Sequence, residues 1–419
     1  MVELNGSPDQ AKETPPSASP ADLVIGLSDA RAGEDILRTA SIVHDGLREL
    51  RAPVNTAIFY KSGFAPPVSG SDLPQSDSLR LVPYAPAVVD PTATYAYTVA
   101  ADYRAILSAS ESLNARAFVL IATDLEAVTP EWIYRLAAPV LEENFELVSP
   151  CYVFHRFEGV LTSAILYPLT RSVYGKRIHN PLGPDFGASG RFLQQLVQSD
   201  TARPKAGALR STVPLAPEAV SRGYKVGQAN LGERKHPPVD WKNLSSLLAD
   251  VLGPLFAAME RDASIWQRVR GSEPVPTFGP PLPSITNNVE VDIRRLIEPF
   301  QLGFRNLQEI WGLVLPPKTI FELQRIGRLT ADQFRMPDEL WVRVIYDFSL
   351  GYRLRTISRD HLLRALTPLY LGWVASYAIE AEKMDARATE HRIERLCAAF
   401  EAGKPYLVSR WRWPDRFNP

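Results

Sequence analysis

The segment Ala117-Phe-Val-Leu-Ile-Ala-Thr-Asp-Leu-Glu-Ala-Val-Thr-Pro-Glu-Trp-Ile133 decides the fold expected of this chain. An uninterrupted apolar run ends just before Asp124, and the helix-starting residues Thr129 and Pro130 follow. Threonine is a good N-cap, and proline suits the first helical position because its missing N–H would have no partner there. The pattern predicts a buried parallel strand that delivers one carboxylate to the carboxyl edge of an α/β sheet, where such sheets bind ligands.

Strand and helix patterns alternate along the first half of the chain, which predicts a mostly parallel sheet flanked by helices. Besides the opening segment, apolar runs predict strands near residues 22–26, 54–60, 78–83, 145–154 and 224–231. Helical spacing predicts helices near residues 36–50, 96–110, 130–144, 160–174 and 217–222. The basic segment 176–187 is predicted to be a loop. After residue 243 helical stripes dominate, so we expect an α/β domain followed by a mainly helical C-terminal domain.

The 419 residues are enough for more than one domain and a large core. Residues 1–20 contain Pro8, Pro15, Pro16 and Pro20 among polar residues, and are predicted to be a disordered tail. We place the α/β domain at residues 21–255 and the helical domain at residues 256–419.

Composition narrows the possible partners. A formal net charge of −1 argues against a broad nucleic-acid surface, which would need a basic excess. The two cysteines, Cys151 and Cys397, lack metal-ligand spacing and are interpreted as thiols in a reducing cytoplasm. The N-terminus does not resemble a signal peptide, and the longest uncharged stretch, residues 365–379, is too short for a membrane span. We therefore expect a cytoplasmic protein that neither binds nucleic acid nor spans a membrane.

Two residues are candidate metal ligands because each lies just beyond a predicted strand. Asp124 follows the opening strand, and His236 follows the strand near residues 224–231. A carboxylate and an imidazole can together hold a divalent cation that bridges a diphosphate. Each residue also has an ordinary interpretation, Asp124 as a loop anchor and His236 as a surface histidine, and spacing alone does not decide between them.

Arg171, Lys176, Arg177 and His179 form a basic run that could bind a phosphate or a carboxylate. The same run could be a solvated helix end, whose cations interact with the helix dipole. Asp185 lies between proline and glycine residues, and is a candidate base or acceptor-hydroxyl partner, or an ordinary turn aspartate. The sequence contains no P-loop, dinucleotide fingerprint, serine nucleophile elbow or zinc-type Cys/His cluster.

Four segments, in the same order, resemble the bacterial mannosylglycerate synthase-like and glucosyl-phosphoglycerate synthase-like glycosyltransferases. They are residues 123–133, 167–178, 181–183 and 223–236. The resemblance implies a GT-A fold, a nucleotide-diphosphate-sugar donor, Mg²⁺ or Mn²⁺ as cofactor, and retention of the anomeric configuration. We expect the acceptor to be a small hydroxylated molecule with an anionic group, which the cluster of Arg171, Lys176 and Arg177 would bind.

Carried over residue by residue, the resemblance makes Asp124 the second acid of an Asp-x-Asp metal motif. It makes His236 the histidine that completes metal coordination, and it places Asp185 in a loop that faces sugar and acceptor in a catalytic role. Substrate binding is predicted for seven further residues: Gly26, Ser28, Arg171, Lys176, Arg177, His179 and Gly183.

The chain also departs from the family pattern. Ala122 stands where the family has its first metal-binding aspartate, and residues 92–98 contain no lysine where one is expected. Residues 209–213 lack the expected Gly-Ile-Asp, and residues 26–30 lack Tyr-Asn. Two hypotheses therefore stand: a metal-dependent glycosyltransferase, and a catalytically impaired relative that serves as a scaffold or regulatory binding protein. Homo-oligomerisation is left open.

Overall fold

The computed structural model describes residues 20–28, 33–62, 78–86, 89–90, 93–122, 125–153, 156–201, 214–234, 243–283 and 291–414. The predicted tail therefore lies outside the described residues, apart from residue 20. Asp124 and His236 also lie outside them.

An eight-stranded sheet organises the first part of the chain, in the order β10-β8-β5-β7-β4-β1-β2-β3. Its strands are β1 (Leu23–Leu27), β2 (Thr56–Lys61), β3 (Leu79–Tyr84), β4 (Ala117–Ile121), β5 (Leu147–Tyr152), β7 (Phe186–Ser189), β8 (Val226–Gly232) and β10 (Thr277–Phe278). Strand β7 pairs antiparallel with β4 and β5, and the other pairings in this sheet are parallel. The predicted mostly parallel α/β sheet is confirmed.

Helices flank this sheet on both faces and make up most of the remaining chain. The helices of the first part are α1 (Gly33–Leu47), α2 (Tyr95–Ala109), α3 (Pro130–Glu143), α4 (Tyr167–Tyr174), α5 (Gly190–Thr201), α6 (Leu215–Ser221) and α7 (Leu244–Arg261). Those that follow are α8 (Ala263–Trp266), α9 (Ile293–Asn306), α10 (Gln308–Gly312), α11 (Pro317–Gly327), α12 (Asp338–Leu354), α13 (Arg359–Ala365), α14 (Thr367–Ala381) and α15 (Ala386–Arg412). The predicted helical C-terminal part is confirmed.

Side chains of the central strands alternate between two cores, as a pleated strand requires. In β4, Val119 and Ile121 pack in the core on the α1 and α3 side. Phe118, Leu120 and the following Ala122 pack in the core on the opposite face, with side chains of α2. Because both faces are covered, the strand is apolar throughout, which is why its sequence was readable as a buried parallel strand.

A third core joins the C-terminal helices to α4 and α7. The domain boundary predicted at residue 255 falls inside α7, whose buried Leu252, Leu255 and Phe256 belong to this core. The proline-rich segment that follows returns to the first part of the chain. There, β9 (Glu273–Pro274) pairs with β6 (Lys176–Arg177), and β10 pairs with β8. The division into two domains stays a prediction.

Among the described residues, one stretch, Arg359–Ala381, is long and apolar enough to cross a membrane by length and composition. Its apolar window is 78% buried inside the protein, and core helices pass the same test. The expectation that the chain has no membrane span stays a prediction.

The prediction of a loop at residues 176–187 was partly wrong, since this segment contains β6 and the start of β7. Strand β7 is short and holds Gly187, so it has no apolar run that a sequence reading detects. Gly187 lets α3 approach the sheet closely, since a Cβ there would lie 2.1 Å from the Leu136 carbonyl oxygen.

We expect Gly187→Ala to lower the free energy of unfolding by about 3 kcal/mol, because the added methyl group meets helix backbone rather than a movable side chain. The matched control is Gly312→Ala in α10, where a Cβ would meet nothing within 4 Å. The control should be neutral or stabilising by up to about 1 kcal/mol. Urea denaturation of both variants measures the difference, and equal stabilities would contradict the proposed close approach.

Candidate functional site

The carboxyl edge of the sheet gathers the ends of β4, β5 and β8 around the start of β7. Because β7 runs antiparallel to β4 and β5, its first residue lies at the edge where those strands end. Asp185 immediately precedes β7 and is therefore delivered to this edge. Carboxyl edges of such sheets are where ligands bind.

The Asp185 carboxylate is fully buried and bonded to three segments of the chain. The Ala122 backbone N–H, just after β4, donates to Oδ1 at 2.8 Å. The Tyr152 hydroxyl, at the end of β5, donates to Oδ2. Arg234, just after β8, places its Nε 3.9 Å from the same Oδ2. One carboxylate thus holds together the ends of strands far apart in sequence.

The Arg234 guanidinium compensates the buried carboxylate. It lies 5.2 Å from the Tyr152 ring centroid, within the range of a cation–π contact. Burial disfavours its charge, but the neighbouring Tyr152 and Asp185 raise the pKa of Arg234 above its usual value, so it remains charged. Its Nε is buried and has no hydrogen-bond partner within the described part of the chain.

Tyr103 closes the cluster from α2. Its hydroxyl donates to the Pro184 carbonyl oxygen, next to Asp185. Burial first, and then the Asp185 carboxylate, raise the pKa of Tyr103 well above its usual range. The phenol therefore remains protonated and acts as a donor.

The two candidate metal ligands adjoin this cluster in sequence. Asp124 lies two residues beyond Ala122, and His236 lies two residues beyond Arg234. Ala122 and Arg234 both contact the Asp185 carboxylate, so the segments that carry Asp124 and His236 extend from the same buried centre. Among the described residues, which exclude both candidates, no group of three or more histidine, cysteine or acidic side chains could hold a metal ion.

Ala122 is a core residue. It is 1% exposed, and its methyl group packs in the core on the α2 side. Its N–H binds Asp185, and its carbonyl oxygen accepts a 2.6 Å hydrogen bond from the Tyr95 hydroxyl. The position where the resembled family has its first metal-binding acid therefore serves packing and backbone hydrogen bonding here.

Gly26 and Ser28, predicted to bind substrate, are occupied with contacts inside the protein. A Cβ on Gly26 would come within 3.0 Å of the Leu120 and Ile106 side chains, so this glycine permits packing within the core. The Ser28 hydroxyl donates to the Asp102 carboxylate at 2.6 Å. The Lys61 ammonium lies 2.8 Å from the same carboxylate oxygen of Asp102.

The predicted basic cluster is divided among separate partners. Arg171 is 4% exposed and binds Glu394 at 2.6 Å and Glu401 at 2.8 Å, which ties α4 to α15. Lys176 pairs with Glu273, and Arg177 donates to Ser272 at 3.1 Å. These contacts do not support the acceptor-anion site that was predicted for these residues.

His179 lines a cavity of about 370 Å³, whereas Gly183 packs against strand β5 nearby. The His179 ring stacks on Tyr167 with a centroid distance of 4.8 Å, and both line the cavity with Tyr152. A Cβ on Gly183 would lie 2.3 Å from the Pro150 side chain, so Gly183 permits close packing against β5. Of the predicted substrate-binding residues, His179 is the one in this described cavity wall.

Sequence reasoning missed the residues that surround Asp185. Arg234 lies within the segment 223–236 that carries His236, but nothing in the sequence indicated its pairing with Asp185. Nothing in the sequence distinguishes Tyr95, Tyr103 and Tyr152 from the other tyrosines. Their hydroxyls are informative only once the topology places them beside a buried carboxylate.

No protein-family model and no curated protein matches this chain. Among solved structures, it is similar to glucosyl-3-phosphoglycerate synthase from Mycobacterium tuberculosis in complex with Mn²⁺, uridine diphosphate and phosphoglyceric acid. That comparison gives 18% identity, a TM-score of 0.35, and coverage of 58% of this chain and 78% of the other. The Mg²⁺ and uridine-diphosphate complex of that synthase gives 17% identity, a TM-score of 0.35, and coverage of 58% and 80%.

The ion pairs of the basic run predict that Arg171 stabilises the fold and that Lys176 contributes little. Arg171→Met should lower the free energy of unfolding by about 2–3 kcal/mol, because Glu401 and Glu394 lose their buried cation. Lys176→Met, whose partner Glu273 is exposed, should change it by less than about 1 kcal/mol. Thermal and urea denaturation measure both, and a destabilised Lys176 variant beside an unchanged Arg171 variant would overturn this assignment.

The Asp185 cluster predicts strong coupling between two buried charges. Asp185→Asn should destabilise the protein by about 3–5 kcal/mol, because it leaves the Arg234 guanidinium buried without a counter-charge. Arg234→Met should lower the free energy of unfolding by a similar amount, because it leaves the Asp185 carboxylate buried without a cation.

A double-mutant cycle tests this coupling by urea denaturation of both single variants and the double variant. We expect the double variant to lose less stability than the two single variants together, by at least about 1 kcal/mol. Strict additivity would show that the two charges do not interact.

Proposed function

We propose that this chain is a metal-dependent, GT-A-like glycosyltransferase. It would transfer a sugar from a nucleotide-diphosphate donor to a small hydroxylated acceptor, with retention of configuration as the sequence resemblance implies. The observation that carries the proposal is the convergence of Ala122 and Arg234 on Asp185, because the segments bearing Asp124 and His236 start from that point.

The donor set proposed for the metal fits a magnesium or manganese ion. Asp124 would supply a carboxylate oxygen and His236 an imidazole nitrogen, and the phosphates of the donor would supply further oxygens. When bound, the metal would neutralise the diphosphate leaving group as a Lewis acid. Two protein ligands suit an ion that shares its coordination shell with a substrate.

Asp185 acts in this proposal as a positioning residue. Its carboxylate is fully buried and binds the Ala122 N–H and the Tyr152 hydroxyl. A general base must reach the proton that it removes, and this burial does not support the catalytic role that the resemblance implied for Asp185. It would instead fix the two metal-bearing segments at a constant separation.

A second candidate function is a non-catalytic relative that binds a partner or regulator. It is favoured by Ala122, whose buried methyl group stands where the family has a metal-binding carboxylate. Nucleotide binding without transfer or hydrolysis of any nucleotide sugar would support this second function, and sugar transfer would exclude it.

Calorimetry with uridine diphosphate tests the first proposal. We expect binding that requires Mn²⁺ and weakens by at least about tenfold in Asp124→Asn and in His236→Ala, because each removes one metal ligand. The matched controls are Asp360→Asn and His361→Ala at the exposed start of α13, which should bind as the unaltered chain does. The metal site would be overturned if uridine diphosphate did not bind, or if its affinity changed neither with Mn²⁺ nor in the two variants.

A further inference from the structure

The cavity beside Tyr152 is enclosed by both parts of the chain. It has a volume of about 370 Å³ and is lined by Tyr152, whose hydroxyl donates to Asp185. Ile393 and Glu394 of α15 also line it. The volume is at the lower end of the range of small-molecule sites, which suits a ligand the size of one sugar ring. The helical part of the chain therefore helps to enclose a small-molecule space beside the proposed transfer site.

A π-helical turn supplies two hydroxyl groups to the cavity wall. Residues Thr162–Leu166 form this turn, which runs directly into α4. Thr162 and Ser163, consecutive in sequence at the start of the turn, both line the cavity. Single π-helical turns of this kind within helices are frequent at functional sites. The departure from α-helical geometry therefore coincides with the wall of the cavity.

Three polar side chains of the wall are available to a ligand. Thr162, Ser163 and Asn180 are half-buried, and within the described part of the chain their side chains make no hydrogen bond. A hydroxyl group both donates and accepts, and so does a side-chain amide. Ligand hydroxyl groups have the same double character, so they can pair with each of these side chains. The polar part of the wall thus suits a hydroxylated ligand.

The charged groups of the wall offer no strong site for an anion or a cation. Among the described residues, no lysine or arginine lines the cavity, so a carboxylate or phosphate would have no cation to pair with. Glu394 is paired with Arg171 at 2.6 Å, and Glu390 already interacts with another group. An ammonium group would therefore compete with existing partners. Glu158 also lines the cavity, and its carboxylate can accept hydrogen bonds from ligand hydroxyl groups.

The Tyr167 and His179 rings add an apolar surface to the wall. They stack on each other with a centroid distance of 4.8 Å, and both line the cavity. His179 Nδ1 lies 3.1 Å from Gln228 Oε1, and the Tyr167 hydroxyl donates to Glu394 at 3.2 Å. The ring pair is thus fixed by hydrogen bonds. Small-molecule sites combine such apolar surface with a few fixed polar groups.

We propose that this cavity binds an uncharged sugar through the Thr162 and Ser163 hydroxyls, the Asn180 amide and the Tyr167–His179 ring pair. This ligand takes the place of the anionic acceptor expected from the sequence. Its role as acceptor rests on the proposed glycosyl transfer, whereas the binding preference does not. In that transfer, a hydroxyl oxygen of the bound sugar forms the new bond to the anomeric carbon of the donor. The bond from that carbon to the diphosphate breaks, and the hydroxyl proton passes to the released diphosphate.

Calorimetry on the full chain tests the preference with three probes of the same ring size: D-glucose, protonated D-glucosamine and D-glucuronate. They are uncharged, cationic and anionic, and each is titrated with and without Mn²⁺ and uridine diphosphate. We expect D-glucose to bind at least about tenfold more tightly than D-glucuronate, because the carboxylate would lose water without gaining a cation. D-glucosamine should bind no more tightly than D-glucose. D-mannose and D-galactose serve as further uncharged probes of different stereochemistry.

Two variants and one chemical probe locate the bound sugar. Asn180→Ala and Ser163→Ala should each weaken sugar binding by about three- to tenfold, because each removes a hydrogen bond to an uncharged ligand. Asn306→Ala, at the exposed end of α9, is the matched control and should bind sugar as the unaltered chain does. Bound sugar should also slow the alkylation of Cys151, which lines the cavity, as measured by mass spectrometry. The fully buried Cys397 serves as the internal reference.

Each of three results would overturn the sugar site. They are the failure of every uncharged probe to bind at millimolar concentration, tighter binding of D-glucuronate or D-glucosamine than of any uncharged probe, and sugar binding that neither responds to the two variants nor protects Cys151. Uridine-diphosphate binding in the same samples separates the two proposals. Sugar binding without nucleotide binding removes the transferase proposal alone, and nucleotide binding without sugar binding removes the acceptor assignment alone.

Discussion

A carboxylate without any exposed surface is costly unless several donors and a counter-charge compensate it, and the carboxyl edge of this sheet is arranged around that requirement. Asp185 receives the Ala122 N–H and the Tyr152 hydroxyl, and Arg234 supplies the positive charge. These residues follow or end three different strands, so satisfying one charge fixes the relative positions of all three. The arrangement of these strand ends thus follows from the need to compensate the buried Asp185 carboxylate.

The sequence predicted the sheet well because covered strands are apolar throughout, as in β1 and β4. It did not predict β7, which has few residues and a glycine, yet β7 is the strand that delivers Asp185 to the edge. It left Arg171 either in an anion site or at a solvated helix end, because spacing along a chain does not show that Glu394 and Glu401 approach from far along the sequence. Charges were recognisable in the sequence, but their partners depended on topology.

The helical part of the chain forms one wall of the cavity beside Tyr152. Helix α15 packs on α4 and presents Glu390 to the cavity whose far side ends at Tyr152. The buried Arg171 fixes this arrangement through charge-assisted bonds to two residues of α15.

The distance in sequence between Arg171 and its partner Glu401 has a consequence for synthesis. A ribosome releases the strands of the sheet well before it releases α15, and domains generally begin to fold in that order. Until α15 arrives, Arg171 has neither of its carboxylate partners, and the cavity lacks one wall. The sheet edge can thus form early, while the pocket beside it closes only when the last described helix docks.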